Sequence, residues 1–221
     1  MKQIFKSRLN AFFIIGIIIL YIAFLSIDVF SAPGLLPTRY LKYTTIILCF
    51  LLALNLHRNS INKQDSKYVV IAFIFTLIAD IFLLFTGNKI AGIFFFCLVQ
   101  LTYLKRYNIR LFKFGIFVST VAIMIHLFTS FDQLYIIAGL YAPLILVCAI
   151  STFRTKLPKF NLYCTRIGMI LFILCDIHVA MFDQLSRASS YHHFASIVIW
   201  LFYLPAQFLL ALSAFHQDVE N

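Results

Sequence analysis

Charged side chains are scarce in this 221-residue chain, at 12% against the roughly one quarter usual in soluble proteins, while 62% of its residues are hydrophobic. Eighteen Lys and Arg with eight Asp and Glu cannot coat a folded body of this size, and a core cannot absorb so much apolar surface. A soluble domain is therefore excluded, and lipid must supply the missing solvent. Several short motifs are also missing: there is no H-E-x-x-H, no G-x-S-x-G elbow and no phosphate-binding glycine loop. Ser60-Ile61-Asn62-Lys63 matches S-x-x-K in letters only, because it lies in a basic connection. The five cysteines, Cys49, Cys97, Cys148, Cys164 and Cys175, sit in apolar stretches without a C-x-x-C pair and read as small core hydrophobes. No linker, low-complexity tract or soluble insertion interrupts residues 1–221, so one polytopic domain is expected.

What the chain does have is long apolar runs. Eight are long enough to cross a bilayer as helices, at about 11–29, 40–57, 68–86, 89–105, 110–128, 133–153, 163–183 and 194–216. Spanning strands would be half that length and would alternate in polarity. Lys2, Lys6 and Arg8 before the first run imitate a signal peptide, but Phe30 is too bulky for the minus-three position of Ser31-Ala32, and the run reads as a retained span. The net charge of +10 is explained by topology. Fourteen cations fall in the N-terminal tail and the second, fourth and sixth connections, against four (Arg39, Lys42, Lys89 and Arg187) on the opposite side. That asymmetry predicts both termini on the cytoplasmic side and gives nucleic acid no role as a partner. The third and seventh spans then run alike and share a pattern, Leu77-Ile78-Ala79-Asp80-Ile81 against Ile173-Leu174-Cys175-Asp176-Ile177, which suggests a 4+4 parallel repeat.

Of the acidic residues, only Asp80 and Asp176 lie well inside predicted spans, at similar depth and nearer the outer side. A carboxylate there costs at least about 2.5–3.5 kcal/mol, and such groups face a bundle interior or a wet cavity. Two sharing a low-dielectric space do not both ionise, so one is expected to keep its proton as an acid while the other stays an anion. That division suits acid-catalysed hydrolysis through an oxocarbenium ion. It equally suits a proton or cation relay in a transporter, and a purely structural role would have each Asp bonding across helices.

Ser196, Trp200, Tyr203 and Gln207 form one face of the eighth span, and Pro205 within it frees a backbone carbonyl near Leu201. Gln100 and Tyr103 in the fourth span, with Tyr141 before Pro143 in the sixth, complete a set of polar groups able to line one pocket. Lys42 sits just inside the outer end of the second span. There an ammonium either snorkels to headgroups or recognises a lipid phosphate, with Arg39 as helper. His126, His178, His192 and His193 lie towards the outer side, but none are paired at i, i+3 or i, i+4, and no metal is expected.

These residues resemble the YhhN-type lysoplasmalogenase family, eight-helix membrane proteins whose characterised members cleave the vinyl ether bond of lysoplasmalogens. The resemblance runs from about residue 40 to 213. It rests on Lys42, on Leu77 to Leu84 around Asp80, on Tyr103 and Tyr141, on Leu171-Phe172-Ile173-Leu174-Cys175-Asp176, and on Tyr203-Leu204-Pro205-Ala206-Gln207 with the apolar run to Ser213. It implies a hydrolase of 1-alkenyl lysophospholipids that needs neither cofactor nor metal. Asp80 and Asp176 would be catalytic, Lys42 would hold the phosphate, and Tyr141, Tyr203 and Gln207 would position water and the glycerol hydroxyl. Two positions depart from the family pattern: Tyr43 follows Lys42 where Pro is usual, and Gln100 stands where a His is expected. A neutral amide holds a water but does not shuttle protons as imidazole does, so a slow enzyme or an inactive relative with a structural role is the alternative. Abundant Ile, Phe, Lys and Asn suggest an AT-rich bacterium and its plasma membrane.

Overall fold

The computed structural model describes residues 7–30, 38–108, 133–184 and 190–215. Within them the chain forms seven α-helices and no strand: α1 (Arg8–Phe30), α2 (Thr38–Arg58), α3 (Lys63–Ile81), α4 (Lys89–Arg106), α5 (Gln133–Thr152), α6 (Lys159–Gln184) and α7 (Ser190–Leu212). Each predicted span except the fifth falls on one of them; the fifth, at 110–128, lies outside the described residues. Six helices are long and apolar enough to cross a membrane, and α4 is not among them. Its 18 residues include Lys89, Lys105 and Arg106. The protein is an all-α, multi-pass membrane protein.

Helix ends follow local chemistry. The Asn62 side chain accepts from the Asp65 N–H at 3.0 Å to start α3, and Asn88 accepts from the Ala91 N–H at 3.0 Å to start α4. Between them, α3 widens into a π-helical turn, Phe82–Thr86, and stops at Gly87, whose φ of 68° is left-handed and suits glycine. The resulting hairpin is tight, since a Cβ on Gly92 of α4 would lie 2.5 Å from Leu83 Cδ2.

Consecutive helices pack side by side from α1 to α7, and α7 returns to pack on α2 and α1. The helices thus close a ring with an interior. Pro205 cannot donate to the Leu201 carbonyl, and that carbonyl accepts instead from the Tyr21 hydroxyl of α1 at 3.1 Å. The break that proline makes in α7 thereby becomes a clamp between the first and last helices. Tyr21→Phe is expected to cost about 1 kcal/mol, seen as a lower midpoint of thermal unfolding in detergent, because the carbonyl loses its donor.

One end of the ring is fastened by a buried cation. Arg106, at the end of α4, gives its Nε to both Asp65 oxygens at 3.0 Å and its Nη2 to Asp65 Oδ2 at 2.8 Å. Its remaining donors reach Ser213 Oγ and the Ser213 carbonyl, each at 2.8 Å, and Asn161 Nδ2 shares that carbonyl at 2.7 Å. The guanidinium therefore joins α3, α4 and the residue that follows α7, and Asn161 ties α6 to the same carbonyl. In sequence Arg106 is one topological cation among several; buried and hydrogen-bonded through all three of its nitrogens, it is also a structural staple.

Candidate functional site

The carboxyl pair occupies the opposite end of the ring. Asp80 lies 15 residues along α3 from Asp65, a rise of about 22 Å. It is buried, 3% exposed, one residue before the π-turn begins after Ile81. The Tyr203 hydroxyl on α7 donates to both of its oxygens at 2.9 Å, crossing the interior to do so. Asp176 on α6 is half-buried, and its Oδ2 accepts from the Tyr141 hydroxyl of α5 at 2.6 Å. The two donor tyrosines, Tyr141 and Tyr203, both pack against the Phe96 ring, so the two acids share one neighbourhood. Each carries a tyrosine donor from a different helix. The bonds join the third span to the eighth and the seventh to the sixth, a pairing that a 4+4 exchange of halves does not reproduce.

Aromatic rings wall this neighbourhood. Phe96 meets Phe172 at 5.7 Å, Tyr141 at 6.3 Å and Tyr203 at 6.3 Å, while Phe172 meets Tyr203 at 5.8 Å. Low polarity there strengthens any charge interaction within it. Trp200 packs edge-on against Tyr203 at 5.3 Å and carries the site towards Lys42, whose Nζ lies 5.0 Å from the indole centroid.

Lys42 neither snorkels nor stands free. It is buried and paired with Asp28 of α1, Nζ to Oδ2 2.7 Å. Asp28 went unnoticed in the sequence because it lies two residues from the end of α1, where a carboxylate reads as headgroup-level. The signal was its place in the hairpin: Asp28 and Lys42 flank the 31–37 connection at similar distances. Arg39, the expected helper, lies over the rings of Tyr40 and Phe85.

The amides and the remaining tyrosine lie deeper. Gln100 is fully buried; its amide comes near Tyr141, yet neither its nitrogen nor its oxygen makes a hydrogen bond. Gln207, one turn beyond Tyr203, is buried with Nε2 unpartnered. Tyr103 is not brought to the carboxyls: it stacks on Tyr107 at 6.3 Å and feels the charges of Arg106 and Asp65 at the other end. His178 Nδ1 lies 2.7 Å from its own helix's Leu174 carbonyl. His126 lies outside the described residues, as do the side chains of His192 and His193. No group of three or more metal-ligating side chains occurs among the described residues. The cysteines described are all free thiols, four buried and Cys97 partly so.

Such an arrangement can hold one carboxylic acid and one carboxylate in a largely apolar, aromatic surround, with hydroxyl donors fixing both. Residues 38–214 match the model of the YhhN family. No curated protein and no solved structure matches the chain.

Proposed function

The chain belongs to the YhhN family, and from that premise we propose that it hydrolyses the vinyl ether of 1-alkenyl lysophospholipids. The observation that carries this reading is the pair of carboxyls in one buried neighbourhood, each held by a tyrosine hydroxyl. One acid gives its proton to the vinyl carbon distal to oxygen, forming an oxocarbenium ion that the other, as carboxylate, stabilises and to which it directs water. Water adds to the carbon attached to oxygen and loses a proton to the carboxylate. The hemiacetal then collapses, its hydroxyl proton passing to the departing glycerol oxygen, to fatty aldehyde and glycerophospho-head group. The pair again holds one proton, now on the other carboxyl, and its return to the first acid resets the site. The alkenyl group approaches Asp176 and Tyr141, the more accessible half, while Gln100 and Gln207 are supporting polar groups at greater depth and Tyr103, at the Arg106 end, takes no part. Lys42 has three N–H donors, of which Asp28 takes one, leaving others for a phosphate.

The same reading takes the whole chain as one domain of eight spans with both termini and the Arg106 end at the cytoplasmic face of a bacterial plasma membrane. The site then opens to the outer leaflet. Lys42→Met should raise KM by roughly 10- to 100-fold with a smaller change in kcat, because it removes charge-assisted contacts to a non-reacting phosphate. The direct test is to incubate purified protein with lysoplasmalogen and assay free aldehyde. Aldehyde release supports the hydrolase. Uptake that depends on a pH gradient, with no bond broken, would replace it with a transporter.

A further inference from the structure

Among the described residues, six buried side-chain polar atoms make no hydrogen bond: Asp28 Oδ2, Gln100 Nε2 and Oε1, Tyr107 Oη, Thr165 Oγ1 and Gln207 Nε2. Asp28 is answered by the Lys42 ion pair. The other five belong to four residues, all at least nine-tenths buried, and helical arithmetic places them in one column. Thr165 precedes Asp176 by eleven residues, three turns with only about 20° of drift. Gln207 follows Tyr203 by four residues, and Tyr107 follows Gln100 by seven, two turns on the same face of α4. Each displacement runs from the carboxyl pair towards the Arg106 end. Three helices thus direct unanswered polar groups along the path between the two clusters.

A buried donor or acceptor without a partner bears its whole desolvation penalty, and native interiors answer such groups with ordered water wherever two or more polar atoms converge. We infer that a file of ordered water runs through the bundle interior from the Arg106 end to the carboxyl pair, held by Tyr107, Thr165, Gln100 and Gln207. Its use is to bring the water that hydrolysis consumes to the buried Asp80 side of the pair, beside Phe96 and Phe172, while substrate enters at the more accessible Asp176 side. In that use it rests on the hydrolase reading; its existence does not. Gln100, where imidazole was expected, serves this file by its amide, which accepts one water hydrogen and donates to another water.

The test is hydroxyl-radical footprinting of the full chain in lipid nanodiscs, with radicals generated in situ by X-ray pulses and oxidation mapped by mass spectrometry. Radicals form only where water is. Met169 is fully buried and lies on the Thr165 to Asp176 face, four residues after Thr165. After normalisation for intrinsic reactivity, Met169 and Tyr107 should oxidise about ten-fold faster than Leu52 and Leu56, which are equally buried between α2 and its neighbours. Gln100→Leu should lower Met169 oxidation and the unfolding midpoint together. Equal oxidation of all four residues overturns the file, as does a midpoint raised or unmoved by Gln100→Leu, because a dry interior gains when an unanswered amide is removed. Labelling requires no turnover. An inactive protein with a labelled column would defeat only the hydrolase reading, and an active one with a dry column only this inference.

Discussion

Asp80→Asn and Asp176→Asn should each lower aldehyde release by roughly 10³-fold or more, within the range that positioned proton transfer supplies. Asparagine keeps the shape of the side chain and an oxygen to accept from Tyr203 or Tyr141, so the bundle should assemble normally. What it loses is the exchangeable proton in one role and the negative charge in the other. Because the two acids act on one bond, the double variant should fall little below either single one. The check is a coupled assay of aldehyde in the purified variants, with gel-filtration profile and unfolding midpoint showing that the fold is retained. Full activity in both variants would return the two carboxyls to a structural role. Tyr203→Phe and Tyr141→Phe should cost less, about ten-fold each, since they remove one hydrogen bond and leave the acid in place.

Arg106→Met should destabilise the protein by about 3–5 kcal/mol, the usual cost of breaking a buried ion pair from one side. The substitution strands the Asp65 carboxylate and takes two donors from Ser213, whose carbonyl is left to Asn161 alone. Arg106→Lys should recover little, because a point charge cannot reproduce the fork that meets both Asp65 oxygens and Ser213 together. Asp65→Leu combined with Arg106→Met should regain much of the loss by removing both charges. Thermal unfolding in detergent measures all three. The fraction that remains folded should keep its specific activity, because the staple stands about 22 Å from Asp80.

The helices were legible because apolar run length is a direct reading of bilayer thickness; several start earlier than expected where polar residues continue a helix beyond the hydrocarbon, as at Lys63 and Lys159, and the last ends at Leu212 rather than 216. The importance of Asp80 and Asp176 was legible for the same reason: a carboxylate in an apolar run has no inexpensive explanation. Their tyrosine partners were visible as residues, but the particular pairing was not, since it depends on which helix faces which across the ring. Asp28 and Arg106 were missed by a rule that assigns charges near span ends to the interface. That rule reads depth along one helix. It cannot see that a neighbour's end covers the same level, as Trp200 covers Lys42 and Ser213 covers Arg106. Nor could periodicity foresee the π-turn after Asp80, because widening one turn leaves the apolar pattern nearly intact.

The clamp from Tyr21 to the Leu201 carbonyl bridges 180 residues of chain, and this sets an order on biogenesis. At about 5–20 residues per second, a ribosome needs roughly 9–36 s to make that interval. Through that interval the first helix has α2 beside it but not α7, and the Asp28 and Lys42 pair lacks the indole that later shields it. Until the last helix arrives, the ion pair is held by the contacts of α1, α2 and their earlier neighbours alone, so a chain arrested before α7 would leave that pair without its aromatic cover.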